Sequence, residues 1–340
     1  MENKKIKLWI LHAGLGHPSP YFYNLCNEFR KFNNIDITVN PDLPLNVLTN
    51  DGVVYFNRLK RYYDSNDINS INEFLHKVDK LKNNGWKLIF TIHNFFPIDR
   101  KTTQNDEILL KRFLPKMDIV FTFTNYMKKS LKKNFGVNAI NHSIGKYELD
   151  KSFDIPIKIP NIEKDAFVFT FIGNISEYKM LDSIINNFIK INNKKTYLII
   201  AGPDNKFFNL KYEENKNIIR INQFIGDKAW KSLCNLTNVF INSYDTNREC
   251  FKYGFFPSNC IQIIENKKFC IVPKCKVIEE ILPNGYYYTY KSKNNIYKVM
   301  KKAIKNKKYI IEKEKCYPDY YFSWANMVQT IILAIQEELI

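Results

Sequence analysis

The 340-residue chain has no hydrophobic run long enough to span a bilayer, no Cys-x-x-Cys pair and no glycine-arginine tract. Its longest early apolar stretch, Ile6-Lys-Leu-Trp-Ile-Leu11, follows Met1-Glu-Asn-Lys-Lys. It is too short for a membrane helix and reads as a first strand, so neither a secretory signal nor an anchor is expected, and a cytoplasmic protein is. The seven cysteines, at 26, 234, 250, 260, 270, 275 and 316, are odd in number and scattered. They form no Cys-x-x-Cys and no Cys/His cluster of zinc spacing, which argues against a disulfide framework or a structural zinc and for buried free thiols. Asp-x-Asp at a strand end is missing, as is the Gly-x-x-x-x-Gly-Lys-Ser/Thr phosphate loop. Acidic residues are scarce too: 34 Asp and Glu against 51 Lys and Arg give a formal net charge of +17.

That charge admits nucleic acid, an anionic membrane surface, or a lysine-rich composition spread over the whole chain. No zinc finger, RNA-binding motif or glycine-arginine tract accompanies it, so a specific nucleic-acid partner is not expected. One basic region is local. Lys111-Arg112, Lys116, Lys128-Lys129 and Lys132-Lys133 fall on two predicted helices, interleaved with Phe113, Leu114, Tyr126, Met127 and Phe135. Such a surface suits anionic lipid, and equally a solvated helix face.

With 45% hydrophobic residues the chain can bury a sizeable core, and its length predicts two domains. Apolar runs at Lys7–His12, Asp36–Val39, Gly52–Phe56, Lys87–Ile92, Ile119–Thr122 and Ala139–Ile140 alternate with helical patterns at Tyr21–Phe32, Ile68–Asn83, Glu107–Leu114 and Tyr126–Phe135. Strands separated by helices predict parallel βαβ units. The stretch Asp150–Lys164, with Pro156 and Pro160, reads as a linker. A second series follows: strands at Phe167–Ile172, Thr196–Ala201, Ile218–Ile221, Val239–Asn242 and Phe269–Val272, with helices at Leu181–Asn192, Asp227–Leu236, Ser258–Glu265 and Asn295–Ala303. Tyr321–Glu338 is an amphipathic helix expected to pack rather than lie on a membrane. The expected fold class is α/β, two doubly wound Rossmann-like domains facing a cleft. Residues 1–150 form the first domain, 165–320 the second, and 321–340 a helix returning to the first. Ligands should then bind at the carboxyl ends of the strands.

Two segments of the second half carry candidate chemistry. Phe167-Val-Phe-Thr-Phe-Ile-Gly173-Asn-Ile-Ser-Glu-Tyr178-Lys179 is a strand, a glycine turn and a lysine opening a helix. Such a turn can offer backbone N–H groups to phosphate oxygens, and the lysine suits a diphosphate leaving group; a surface lysine at a helix start is the plainer alternative. In the other, Val239-Phe-Ile-Asn242-Ser-Tyr244 exits into a polar loop ending at Pro257-Ser258-Asn259. There Ser258 reads as an N-cap, a phosphate ligand, or both. Arg248 in that loop could hold a phosphate or pair with Glu249.

At these residues the chain resembles bacterial GT-B glycosyltransferases of surface-polysaccharide synthesis, in the style of glycosyltransferase family 4 and of exopolysaccharide glucuronosyl- and mannosyltransferases. Segments correspond in order along nearly the whole chain. His12-Ala-Gly-Leu-Gly-His17-Pro-Ser-Pro-Tyr21 resembles the family's N-terminal glycine-rich loop. Thr91-Ile-His93-Asn94-Phe-Phe-Pro97-Ile-Asp99 is similar to Thr-Val-His-Asn-x-x-Pro-His-Glu, and Asn141-His142-Ser-Ile-Gly145-Lys-Tyr147 to Pro-His-Gly-x-Tyr. Phe171-Ile-Gly173 through Tyr178-Lys179 is similar to Phe-Gly-x-Ile-Arg-x-Tyr-Lys-Gly. The departures are specific: Ser176 stands where arginine is expected, Met180 where glycine is, and the family's Glu-x7-Glu pair aligns with Gly254 and Gln262.

The resemblance implies sugar transfer from a nucleotide-diphosphate sugar to a glycan or polyprenyl-diphosphate-linked acceptor in bacterial surface-polysaccharide synthesis, without metal or other cofactor. With both family glutamates missing, it implies inversion. Gly173, Lys179, Tyr244, Ser258 and Asn259 would hold the donor. Asp99, then His17, are the candidate bases, and His93, Asn94 and His142 would line the acceptor side. The enzyme would be cytoplasmic, peripheral at the inner face of the membrane if the basic helices meet lipid. A catalytically silent GT-B subunit that stabilises or recruits a true transferase is the alternative, motivated by the same departures.

Overall fold

The computed structural model describes residues 5–11, 20–49, 52–145, 155–158, 161–204, 215–319 and 322–339. The chain forms two compact units. One comprises Met1–Tyr147, Arg248–Phe256 and Phe322–Ile340, the other Glu148–Asn247 and Pro257–Tyr321.

The first unit is built on a six-stranded sheet of β1 (Ile6–Leu11), β2 (Ile35–Asn40), β3 (Gly52–Phe56), β4 (Lys87–Thr91), β5 (Ile119–Thr122) and β6 (Ile140–Asn141). Its order is β2-β1-β3-β4-β5-β6, and every pairing is parallel. The central strands are buried on both faces, as parallel sheets require: each residue of Gly52–Phe56 and of Ile119–Thr122 is buried. The helices between them start and stop where local chemistry dictates. Thr103 and Asp106 form a reciprocal capping box at the start of Gln104–Phe113. Thr124 caps Asn125–Phe135, which ends at Gly136 in the left-handed region (φ 72°). The helix Trp324–Leu339 buries Met327, Val328, Ile331 and Ile335 in this unit. Its Trp324 ring lies 5.4 Å from that of Tyr21 and so close to Gly145 that no side chain would fit there.

The second unit repeats the plan with β7 (Phe167–Ile172), β8 (Thr196–Ala201), β9 (Ile218–Ile221), β10 (Val239–Ile241), β11 (Cys270–Pro273) and β12 (Tyr287–Tyr290). The order is β12-β11-β10-β7-β8-β9, again wholly parallel. The chain winds from β7 out to β9, then crosses back to β10. The strand order therefore reverses between β7 and β10, the place where doubly wound sheets bind ligands. In the first unit the same reversal lies between β1 and β3. The core packs Phe169, Phe171, Leu181, Ile184, Leu198 and Ile271 among others.

The expected strands and helices recur within a few residues. Four elements were not anticipated: β12 and the helices Glu249–Tyr253, Lys276–Ile281 and Lys307–Lys315. β12 is the edge strand Tyr-Tyr-Thr-Tyr, half-buried over three of its four residues, and so shows neither alternation nor an apolar run. The helix Lys307–Lys315 buries one residue, Ile310, too little to print a period.

Candidate functional site

At the switch point of the second unit, β7 runs out at Ile172 and β10 at Ile241, and the residues after them converge. Gly173 has φ 137° and Gly202, after β8, has φ 140°. A Cβ on Gly202 would lie 2.0 Å from the Gly173 carbonyl oxygen, so the two backbones approach as only glycine permits. The Gly173 N–H already donates to the Ala201 carbonyl (2.9 Å). Gly173 therefore contributes conformation, not the free amide its position suggested.

Beyond it, Glu177–Lys179 form a single 3-10 turn and Met180 sits in the left-handed region (φ 53°, ψ 33°) before the helix Leu181–Ile189. This backbone conformation suits the glycine expected by resemblance and strains the methionine found. It also turns Lys179 inward. Lys179 is only 6% exposed. Its Nζ lies 4.2 Å from the Tyr244 ring centroid, 5.2 Å from Tyr178 and 5.9 Å from Phe171. Tyr178 and Tyr244 are parallel within 9°, with centroids 6.4 Å apart. The cage is fixed from below: the Ser243 hydroxyl donates to the Lys179 carbonyl, and Asp245 N–H donates to that of Tyr178.

Among the described residues no carboxylate pairs with this ammonium and none gives it a side-chain hydrogen bond. Burial pulls its pKa down to about 7, against a small upward pull from neighbouring Cys260. Aromatic faces attract a cation, but a buried charge without a counter-ion is costly. A ligand anion would remove that cost.

Asn259 stands across the turn. Its side-chain N–H donates to the Ile172 carbonyl (2.8 Å), which keeps it against Gly173. Ser258 occupies the position before the helix Asn259–Glu265 but has αR backbone angles and makes no capping bond, so the N-cap reading fails and its hydroxyl is not committed to the helix. The structure thus brings Gly173, Lys179, Tyr244 and Asn259 together, with Ser258 next in chain. Arg248 belongs to the first unit, where it donates to the Ile98 carbonyl (2.9 Å), while Glu249 pairs with Lys252. Gly254, where the resembled family has an acid, has φ 129° and its carbonyl accepts from the Phe95 N–H. Ser176, where arginine was expected, is buried with an unpartnered hydroxyl.

In the first unit, the described candidates sit beyond β4 and β6. The His142 Nδ1 faces the Ser143 carbonyl (2.9 Å) and must carry the proton; Nε2 then accepts from Thr91 Oγ1 (3.2 Å). Tyr55 OH lies 2.6 Å from the same Thr91 oxygen, so it donates there. Burial pulls the His142 pKa down to about 4, keeping the ring neutral. With both nitrogens engaged, His142 shapes the site rather than moving protons. His93 lies between the Tyr21 ring (4.6 Å) and the Phe123 ring (5.0 Å), and its buried Nε2 has no partner. Burial, then the charge of Arg58, hold its pKa well below the usual histidine value. Asn94 is exposed and pairs through its backbone with Phe255. Burial alone would raise the Asp99 pKa, but its 2.6 Å contact with Lys60 outweighs that and lowers it. Asp99 is therefore an ionised carboxylate at neutral pH, with its basicity reduced by the pair. His17 lies outside the described residues.

The basic helices divide into two groups. Lys111 pairs with Glu107, Lys116 with Asp79, and Arg112 donates to Asn72. Lys128, Lys129, Lys132 and Lys133 have no ion pair among the described residues, and the first three line a cavity of about 300 Å³ with Asn125, Asn138 and Ala139. No described helix is long and apolar enough to cross a membrane.

The sequence matches no known protein family and no curated protein. Its fold has many counterparts among solved structures. HepE from Anabaena, solved in complex with UDP-glucose, superposes with a TM-score of 0.66 at 10% identity, over 98% of this chain and 100% of that one. Sucrose-phosphate synthase from Thermosynechococcus elongatus gives 0.67 at 11%, over 98% and 99%. A glycosyltransferase from Rickettsia africae gives 0.61 at 11%, over 99% of both chains. The chain therefore has the two-sheet α/β fold of these proteins, as its sequence led us to expect.

Proposed function

We propose that this protein is a glycosyltransferase that moves a sugar from a nucleotide-diphosphate sugar to a glycan or lipid-linked glycan, with inversion and without a metal. The observation that carries the reading is Lys179: a buried ammonium with no counter-ion among the described residues, at the switch point of the second sheet. Similarity of fold to a protein solved with UDP-glucose supports a nucleotide sugar as the ligand that completes it.

In this reading the acceptor hydroxyl oxygen attacks the anomeric carbon. The bond from that carbon to the diphosphate oxygen breaks, and the electron pair leaves with the diphosphate. Lys179 stabilises the charge that develops there, inside a partly dry aromatic cage where its field is weakly screened. Asn259 and Ser258 border the same turn, and Tyr244 forms one wall. The hydroxyl's proton passes to a base, Asp99 being the choice among the described residues and His17 the other. Asp99 bound to Lys60 is a weak base, so it takes the proton as the transition state makes the hydroxyl acidic.

A screen of nucleotide sugars for binding and hydrolysis, starting with UDP-glucose, tests this. Saturable binding of one of them, with release of nucleoside diphosphate, is the expected result. Absence of a thermal shift with any UDP, GDP or CDP sugar would favour a silent subunit instead.

We further propose that the unpaired lysines of Asn125–Phe135 rest on an anionic membrane surface, where a lipid-linked acceptor of surface-polysaccharide synthesis would be found. Each basic residue near such a surface contributes about 1 kcal/mol. Changing Lys128, Lys129, Lys132 and Lys133 together to Glu should abolish co-sedimentation with phosphatidylglycerol vesicles. Unchanged sedimentation would reject the assignment.

A further inference from the structure

The positive charge of the chain is not spread evenly. Between Lys291 and Lys315 stand ten lysines, two glutamates and no arginine, so this segment carries nearly half of the net +17. It follows β12 and forms the helices Ile296–Lys305 and Lys307–Lys315 of the second unit. The first of these buries Ile296, Met300 and Ala303 in the core that also holds Ile184 and Phe188. Its Lys298, Lys301, Lys302 and Lys305 are exposed, and at positions i, i+3, i+4 and i+7 they share the opposite face. None of the four has an acidic partner among the described residues, and Glu314 is spent on Lys268 and on the Phe269 N–H (3.0 Å each).

The second helix is fixed to the body by buried Ile310 and by the Lys307 ammonium, which donates to the Asp165 and Ala166 carbonyls (3.0 and 3.1 Å). On either flank of Ile310, Tyr309 and Ile311 are 43% and 39% exposed, apolar area set beside exposed Lys308. Two tyrosines among the lysines are already covered. The Lys302 ammonium lies 4.3 Å from the Tyr288 ring centroid, and that of Lys301 lies 5.5 Å from that of Tyr297.

These features choose between partners. Single-stranded nucleic acid stacks its bases on open aromatic faces, and arginine grips phosphate through paired hydrogen bonds. Here Tyr288 and Tyr297 are half-buried beneath their own lysines, and the segment has no arginine. Lysine is a point charge on a flexible apolar stem, suited to a diffuse anionic surface, and exposed aromatic and aliphatic side chains beside it gain from contact with lipid. We propose that this face of the second unit docks on an anionic lipid bilayer, its lysines over the headgroups and Tyr309 and Ile311 at the acyl boundary. It is a cluster separate from the lysines of Asn125–Phe135, which belong to the first unit, and its binding needs no nucleotide sugar.

The test is co-sedimentation of the whole protein with vesicles of phosphatidylglycerol and phosphatidylcholine, beside a short DNA duplex followed by fluorescence anisotropy. Vesicles containing phosphatidylglycerol should bind, and pure phosphatidylcholine should not. Changing Lys298, Lys301, Lys302 and Lys305 together to Gln should raise the lipid needed for half-binding by about thirtyfold or more, with the lysines of Asn125–Phe135 intact. UDP-glucose affinity should be unchanged and the melting temperature not lowered. Lys228→Glu with Lys231→Glu removes the same net charge from the helix Asp227–Leu236, across the sheet, where Trp230 stacks on Phe240 while Val239 and Ile241 face the other way. That pair should cost about threefold at most, since separated surface charges are screened. Tyr309→Ser with Ile311→Ser should weaken vesicle binding about fivefold or more and leave duplex binding as it was. Equal losses from the two charge changes would mean that net charge alone attracts the lipid. That result overturns the proposal, as do vesicles that fail to bind, indifference to the serine pair, or a duplex that displaces the vesicles.

Discussion

Lys179→Ala should weaken UDP-glucose binding by about ten- to a hundredfold, the range expected when one charge-assisted contact to phosphate is lost. The argument does not rest on lysine being common in phosphate sites. It rests on the surroundings of this side chain: an ammonium ringed by Phe171, Tyr178 and Tyr244, with no carboxylate paired to it among the described residues. Alanine removes the charge and leaves the strand, the glycine approach and the helix Leu181–Ile189 in place, so a far-ultraviolet spectrum like that of the parent is expected. Calorimetry decides the matter. Equal affinity in the two proteins would mean that the nucleotide binds elsewhere.

The same lysine should make affinity and stability respond to pH in opposite directions. Its pKa in the folded chain is near 7, well below that of a solvated lysine, because burial disfavours its charge. Between about pH 7 and 10 the unfolded chain therefore holds a proton here that the folded chain has released. Stability rises with pH wherever the unfolded state binds more protons, so this site adds stability across that window and withholds it below pH 7. Donor binding requires the charged form and weakens with rising pH, by up to about tenfold per unit above 7. UDP-glucose is the proper probe because its diphosphate has no proton to lose near neutrality. Lys179→Met should melt higher than the parent at pH 6, converge with it toward pH 10, and bind poorly throughout. A parent whose affinity is flat from pH 6 to 9 would show that Lys179 does not meet the diphosphate.

The sequence was most legible where burial was complete. Phe167–Ile172 and Gly52–Phe56 are nearly continuous apolar runs and were bounded to the residue, because a strand covered on both faces admits a polar side chain only where it finds a partner, as the Thr170 hydroxyl does in that of Thr237 (2.7 Å). The turn after β7 was found through an ordered set of short patterns, but its physics was not. A lysine at a helix start looks solvent-facing in sequence; the left-handed Met180 and the two tyrosines, 66 positions apart, turn it into a buried one. Nor could spacing show that Gly173 would spend its N–H on Ala201, or that Arg248 would reach Ile98.

Trp324 against Tyr21 and Gly145 has a consequence for biosynthesis. The first unit takes its core from residues before 147 and from the helix Trp324–Leu339. During translation its six strands emerge early, yet Tyr21 and Gly145 wait uncovered until nearly the whole chain has left the ribosome. The second unit, complete by residue 321, has all of its residues first. Order of synthesis and order of completion are thus reversed, and a nascent chain stalled before residue 322 would expose the first unit's unfinished face to chaperones while the second unit was already whole.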